Sequence, residues 1–150
     1  MELEKLAGLL KENKVDFVII GAAAFPVYGY VRATLDVDIF IRPTRENAGK
    51  CYRALMQFGY DLKGVTEKDF LNKKILIRQY RLEIDVHPFV KGVAFDEIWK
   101  HKKRAKIGRS YVYFAALEDL IKMKTAAGRG KDKDDLRYLR KILKEQNKHK

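Results

Sequence analysis

V-I-I-G-A-A-A-F-P-V-Y-G-Y-V-R-A-T-L-D-V-D-I-F-I, from Val18 to Ile41, runs from an apolar stretch through a glycine and small residues into a second apolar stretch carrying two aspartates. In a strand, residues i and i+2 share a face, so Asp36 and Asp38 point together while Leu35, Val37, Ile39 and Ile41 point to the core. Two carboxylates roughly 7 Å apart repel by on the order of 2 kcal/mol at an effective dielectric of about 20. Folding gains nothing from such a pair. A divalent cation removes the penalty, and hard oxygen ligands suit magnesium held by one or two carboxylates plus substrate phosphates.

The chain has 150 residues, 47% of them hydrophobic, which is enough for one domain with its own core. We expect a catalytic sheet over about residues 15–90 and a basic helical extension over about 94–146. No apolar run approaches bilayer length, and M-E-L-E-K-L lacks the plan of a signal peptide, so the expectation is a soluble, cytoplasmic protein without membrane contact. Cys51, the single cysteine, excludes an internal disulfide framework and reads as a small buried residue. The formal net charge is +12, and residues 101–150 hold 16 Lys/Arg against 6 Asp/Glu. Such a surface attracts polyanions, or it serves solubility alone.

Leu3, Leu6, Ala7 and Leu10 recur at helical spacing, predicting a packing helix over residues 2–13. Val15–Ile20 reads as a buried strand ending at Gly21. After it, Gly21 and Ala22 allow close backbone approach, and a short helix with Pro26 in its first turn would offer free N–H groups to a phosphate. The same residues also suit a tight packing turn. Arg32 and Thr34 lie just upstream of the aspartates, where the guanidinium can meet phosphate oxygens or neutralise the acids. Thr44 is an N-cap for a helix over about residues 45–58.

Residues 59–73 are polar, with one helical turn around Glu67–Leu71. Ile75–Val86 reads as one long strand or two short ones. In its second half Leu82, Ile84 and Val86 alternate with Glu83, Asp85 and His87, so beside the first acidic strand Asp85 or Glu83 becomes a third carboxylate. Three carboxylates on neighbouring strands suit nucleotidyl transfer: two hold metal ions, and the third shares an ion or takes the proton of the attacking hydroxyl. No Walker loop, nucleophile elbow, H-E-x-x-H or Rossmann fingerprint is present. His87 is a weak site candidate, whereas His101 and His149 read as surface residues.

Gly21-Ala22, Asp36-x-Asp38 and the strand Ile84-Asp85-Val86 together resemble the DNA polymerase β-type nucleotidyltransferase superfamily. More narrowly, G-A-A-A-F-P-V-Y-G-Y-V-R-A-T-L-D-V-D-I-F with L-E-D-L-I-K-M-K-T-A-A-G-R-G-K-D-K-D-D-L is similar to small prokaryotic members related to AbiEii-type toxins. The resemblance covers roughly residues 15–143. It implies an α/β (α+β) fold, a small mixed sheet flanked by helices that lie on one side, with a C-terminal helical extension. It implies transfer of a nucleoside monophosphate from an NTP to an acceptor hydroxyl on RNA, such as a tRNA end, or on a partner protein. The cofactor would be Mg2+, as two ions, or Mn2+. Asp36, Asp38 and Asp85 would be catalytic and metal-holding; Gly21, Ala22, Arg32, Thr34 and Lys124 would bind the nucleotide. Ala22 stands where the superfamily usually has Ser or Gly. The alternatives are a nucleotide- or RNA-binding member without turnover, or one component of a toxin–antitoxin pair.

In the C-terminal third we expect a short helix around Phe95–Trp99, an edge strand or hairpin around Gly108, and a helix over Ala116–Ala127 ended by Gly128. A last helix starts near Asp132, which caps it, with Arg129 and Asp135 paired beside it and a frayed tail from Lys144.

Overall fold

Leu6, Ala7 and Leu10 form the buried stripe of α1 (Glu2–Glu12), as their spacing predicts. The computed structural model describes residues 1–34, 36–79 and 81–149. Leu35, expected to point inward, and Tyr80, in the second strand-like run, lie outside the described residues.

β1 (Phe17–Ile20) is buried at every residue, so both of its faces are covered. It ends in Gly21 at φ +67° and passes into a 3-10 helix over Gly21–Tyr28, closed by Gly29 at φ +89°. Pro26 lies inside this helix rather than in a first turn. Its missing N–H removes a donor that an α-helix begun at Gly21 would need. β2 (Val37–Ile41) follows, so Asp36 stands just outside the ladder and only Asp38 lies within it. The ladder thus carries Asp38 while Asp36 precedes it, and both acids face one cleft.

α2 (Arg45–Phe58) starts where Thr44 Oγ1 accepts the Asn47 N–H and stops at Gly59, and it buries Ala48, Cys51, Leu55 and Phe58. Burial pushes the Cys51 thiol up to about 12. The Asn47 side chain accepts from the Asp16 N–H at 2.8 Å and donates to the Asp16 and Arg42 carbonyls at 3.0 Å, joining α2 to the ends of β1 and β2. After the single turn α3 (Asp69–Asn72), the strand-like run resolves into two short strands, β3 (Ile75–Ile77) and β4 (Ile84–His87), paired antiparallel. α4 (Phe95–His101) leads into the hairpin β5 (Lys103–Ile107) and β6 (Ser110–Phe114), which turns at Gly108. α5 (Leu117–Ala127) ends at Gly128 in the left-handed conformation. α6 (Lys133–Lys148) runs through the tail expected to fray, where good helix formers and an i,i+3 pair of Glu145 and Lys148 continue it.

The six strands form one sheet in the order β3-β4-β2-β1-β6-β5. β6 joins β1 in parallel, so the sheet does not end near residue 90. β2 lies between antiparallel β1 and parallel β4, with Asp38 opposite Ile20 on one side and Asp85 on the other. Both faces of the sheet's centre are buried. Phe40 shares the face of Asp38 and is buried by Phe95 of α4, ring centroids 5.2 Å apart. The opposite face, with Ile39, Ile41 and Val86, is equally buried, and α1, which packs on α2, meets the sheet at β6. Among the described residues no helix is long and apolar enough to cross a membrane.

Candidate active site

Asp38 sits in the middle of the sheet because β2 is flanked on both sides, and the adjacent turn makes room for it. A β-carbon built on Gly21 would stand 2.6 Å from Asp38 Oδ2, so glycine at this turn is required by the carboxylate as well as by the positive φ. Asp38 Oδ1 is 2.8 Å from His87 Nε2 across the β2–β4 ladder. Asp85, only 6% exposed, accepts from Arg78 Nη1 at 2.6 Å. Arg78 Nη2 also lies 3.5 Å from Asp36 Oδ2, so one guanidinium spans two of the three expected acids. Its hydrogen bond to Asp85 holds its pKa above the usual arginine value, with Asp36 adding to the effect.

Ligand atoms of Asp38, Asp85 and His87 lie within 4.8 Å of one another. Among the described residues Asp36 is not part of that group and is linked to it through Arg78. These residues line a cleft of about 920 Å³ together with Gly21, Ala22 and the cations Lys74, Lys91, Arg129 and Lys131. Arg32, Thr34 and Lys124 line it as well, and all three are held by the protein itself. Arg32 grips Asp135 with both arms of its fork, at 2.8 and 2.9 Å. Lys124 reaches Asp132 at 3.0 Å and Asp135 at 3.2 Å. Thr34 Oγ1 donates to the Asp36 carbonyl at 2.9 Å and so shapes the entry to β2.

Asp132 makes no side-chain cap on α6. It accepts from Arg129 and Lys124, and Arg129 pairs with Asp132 rather than with Asp135. Asp135 takes Tyr30 as well as Arg32 and Lys124. Burial drives the carboxyls of Asp132 and Asp135 upward, but the charged hydrogen bonds outweigh it and hold both below the usual range. A local capping signal lost to two buried acids tying the segment before β2 to α5 and α6.

Sequence reasoning missed Arg78 and undervalued His87. The signal for Arg78 was the β3–β4 hairpin: Leu76 stands opposite Asp85, and Arg78, two residues on, shares its side.

A mixed sheet carrying strand aspartates beside a glycine turn is the architecture of a nucleotidyltransferase-like protein, and comparison with known proteins agrees. The chain belongs to the family described as "Nucleotidyl transferase of unknown function", DUF2204, whose model matches residues 1–150. Membership places it in the nucleotidyltransferase class of enzymes. Its fold is similar to the crystal structure described as a "putative nucleotidyltransferase" from Thermotoga maritima, with a TM-score of 0.60 and 18% identity over 95% of this chain and 91% of that one. None of the curated proteins matches the chain significantly. Neither finding concerns the narrower likeness to AbiEii-type toxins.

Proposed function

We propose that this protein moves a nucleoside monophosphate from an NTP to an acceptor hydroxyl on RNA, releasing pyrophosphate. The observation that carries this reading is the pairing of Asp38 with Asp85 on adjacent parallel strands, against the Gly21 turn, at a cleft lined by lysines and arginines.

The donor set fits a divalent ion. Two carboxylates and an imidazole converge within 4.8 Å, and the buried Asp85 carboxylate already carries a cationic partner in Arg78. Asp38 and Asp85 would hold Mg2+ or Mn2+, with Asp36 as a further ligand once Arg78 releases it. The metal, when bound, supplies charge neutralisation for the triphosphate and for the departing pyrophosphate. The Gly21–Ala22 turn admits the phosphates close to the backbone, and Arg129, Lys131, Lys74 and Lys91 neutralise them. Asp85 accepts the proton of the acceptor hydroxyl as its oxygen bonds the α-phosphorus and the bond to the β-phosphate oxygen breaks. RNA is the favoured acceptor because residues 101–150 carry 16 cationic against 6 acidic side chains.

A second reading, nucleotide or RNA binding without turnover, is favoured by Ala22, whose methyl lacks the hydroxyl of the superfamily's common Ser. One experiment separates the two. The protein is incubated with Mg2+, α-labelled NTPs and total RNA. Transfer that vanishes in Asp38→Asn supports the enzyme; RNA binding with steep salt dependence and no transfer supports the binder. Transfer that persists in both Asp36→Asn and Asp38→Asn would overturn the site.

A further inference from the structure

Outside the cleft, α4 and α5 assemble a second set of ligand-type side chains. Glu97 and His101 are four residues apart on α4 and so share a face. Opposite them stands Asp119, in the first turn of α5. One ligand atom from each lies within 4.8 Å of the others, and none of the three lines the cleft.

Asp119 gives this cluster its meaning. The residue is 0% exposed, yet only Oδ2 has a partner, His101 Nδ1 at 3.2 Å; Oδ1 is buried without a hydrogen bond among the described residues. Buried carboxylates are normally paired or hydrogen-bonded through both oxygens, because leaving one bare forfeits its hydration. The helix does not account for it, since among the described residues no backbone N–H of α5 donates to either Asp119 oxygen. The two other members are open to solvent, with side chains 37% exposed for Glu97 and 45% for His101. Glu97 is engaged by Lys122 at 2.7 Å, a solvent-exposed pair of the kind that contributes little and can swing away.

The spacing suits a tetrahedral ion. With metal–ligand bonds of about 2.0–2.1 Å, two ligands stand about 3.4 Å apart, close to the 3.2 Å between His101 Nδ1 and Asp119 Oδ2. One imidazole and two carboxylates form a mixed nitrogen and oxygen set that suits a zinc-type ion with a fourth position for water; at the cleft substrate phosphates would complete an oxygen sphere for magnesium, and none reach this cluster.

We propose that Glu97, His101 and Asp119 form a binding site for a zinc-type divalent ion that ties α4 to α5. The ion compensates the buried charge of Asp119 and fixes the helix whose Leu120, Met123 and Lys124 wall the cleft.

The test uses the full chain freed of metal by chelation. Zinc is titrated by calorimetry and cobalt by visible absorption, with thermal melting alongside. The native chain and Asp38→Asn should both take up zinc, show tetrahedral cobalt bands and melt at higher temperature with zinc. His101→Gln, at an exposed position, should melt like the native chain without metal yet lose the bands, and Glu97→Gln should bind zinc at least tenfold more weakly. Bands that survive in His101→Gln, or a native chain with no cobalt bands and no zinc-dependent shift in melting, would overturn the proposal.

Discussion

Gly21 and Asp38 compete for one space: a β-carbon on the glycine would lie 2.6 Å from the Asp38 carboxylate oxygen. The turn was legible as a place for a phosphate, but its closest neighbour is a side chain of the same protein. Gly21→Ala should therefore move Asp38 as well as strain the backbone at φ +67°. The left-handed conformation costs about 1–2 kcal/mol, and each kcal/mol lowers the melting temperature of a chain this size by about 2–4 °C. Calorimetric melting should show that loss, and label transfer should fall further than stability does.

Arg78 joins the buried Asp85 to Asp36, the position a divalent ion would share. Arg78→Ala should leave the acids facing one another without a cation. Mn2+ titrated by calorimetry should bind the variant several-fold more tightly than the native chain, and added metal should raise its melting temperature more.

Asp135 stabilises the fold in a defined pH range. Its carboxyl sits below the ordinary value because the hydrogen bonds from Arg32, Tyr30 and Lys124 together outweigh the upward push of burial. A depressed folded pKa means that its contribution is complete above the unfolded value of about 3.9 and is lost as pH falls through the lower folded value. At neutral pH Asp135→Asn should cost about 3 kcal/mol, since it removes one partner of a buried ion pair. Urea unfolding of the two proteins should show a constant gap from neutrality to about pH 5, closing below about pH 4.

Cys51 is wholly buried in α2, with its thiol pushed up to about 12. The thiolate is the reactive form, so an aromatic disulfide reagent at neutral pH should label the native protein at the rate of its opening and the denatured protein at once. Fast labelling of the native chain would contradict the packing of α2.

Local grammar made much of this fold legible. Thr44 starts α2, Gly108 marks the hairpin, and Gly128 ends α5, each through backbone chemistry that acts within a few residues. Asp38 and Asp85 were legible because alternation with apolar neighbours gives a face. What escaped is non-local. Nothing near Phe114 announces that β6 will join β1 in parallel, and nothing near Arg78 announces Asp36. Asp132 showed the opposite failure: its position before a helix suggested a cap, and pairing with Arg129 and Lys124 overrode that preference.

The place of the acids in the strand order also bears on how the chain behaves when concentrated. β1, β2 and β4 are interior, so the open margins of the sheet belong to β5 and β3. β5 exposes Lys103, Arg104 and Lys106, and β3 is three residues long, bordered by Lys73, Lys74 and Arg78. Charged or very short margins deny another chain a template for strand addition. The cations at these margins thus guard the sheet against fibrillar self-association, and screening them with salt weakens that guard.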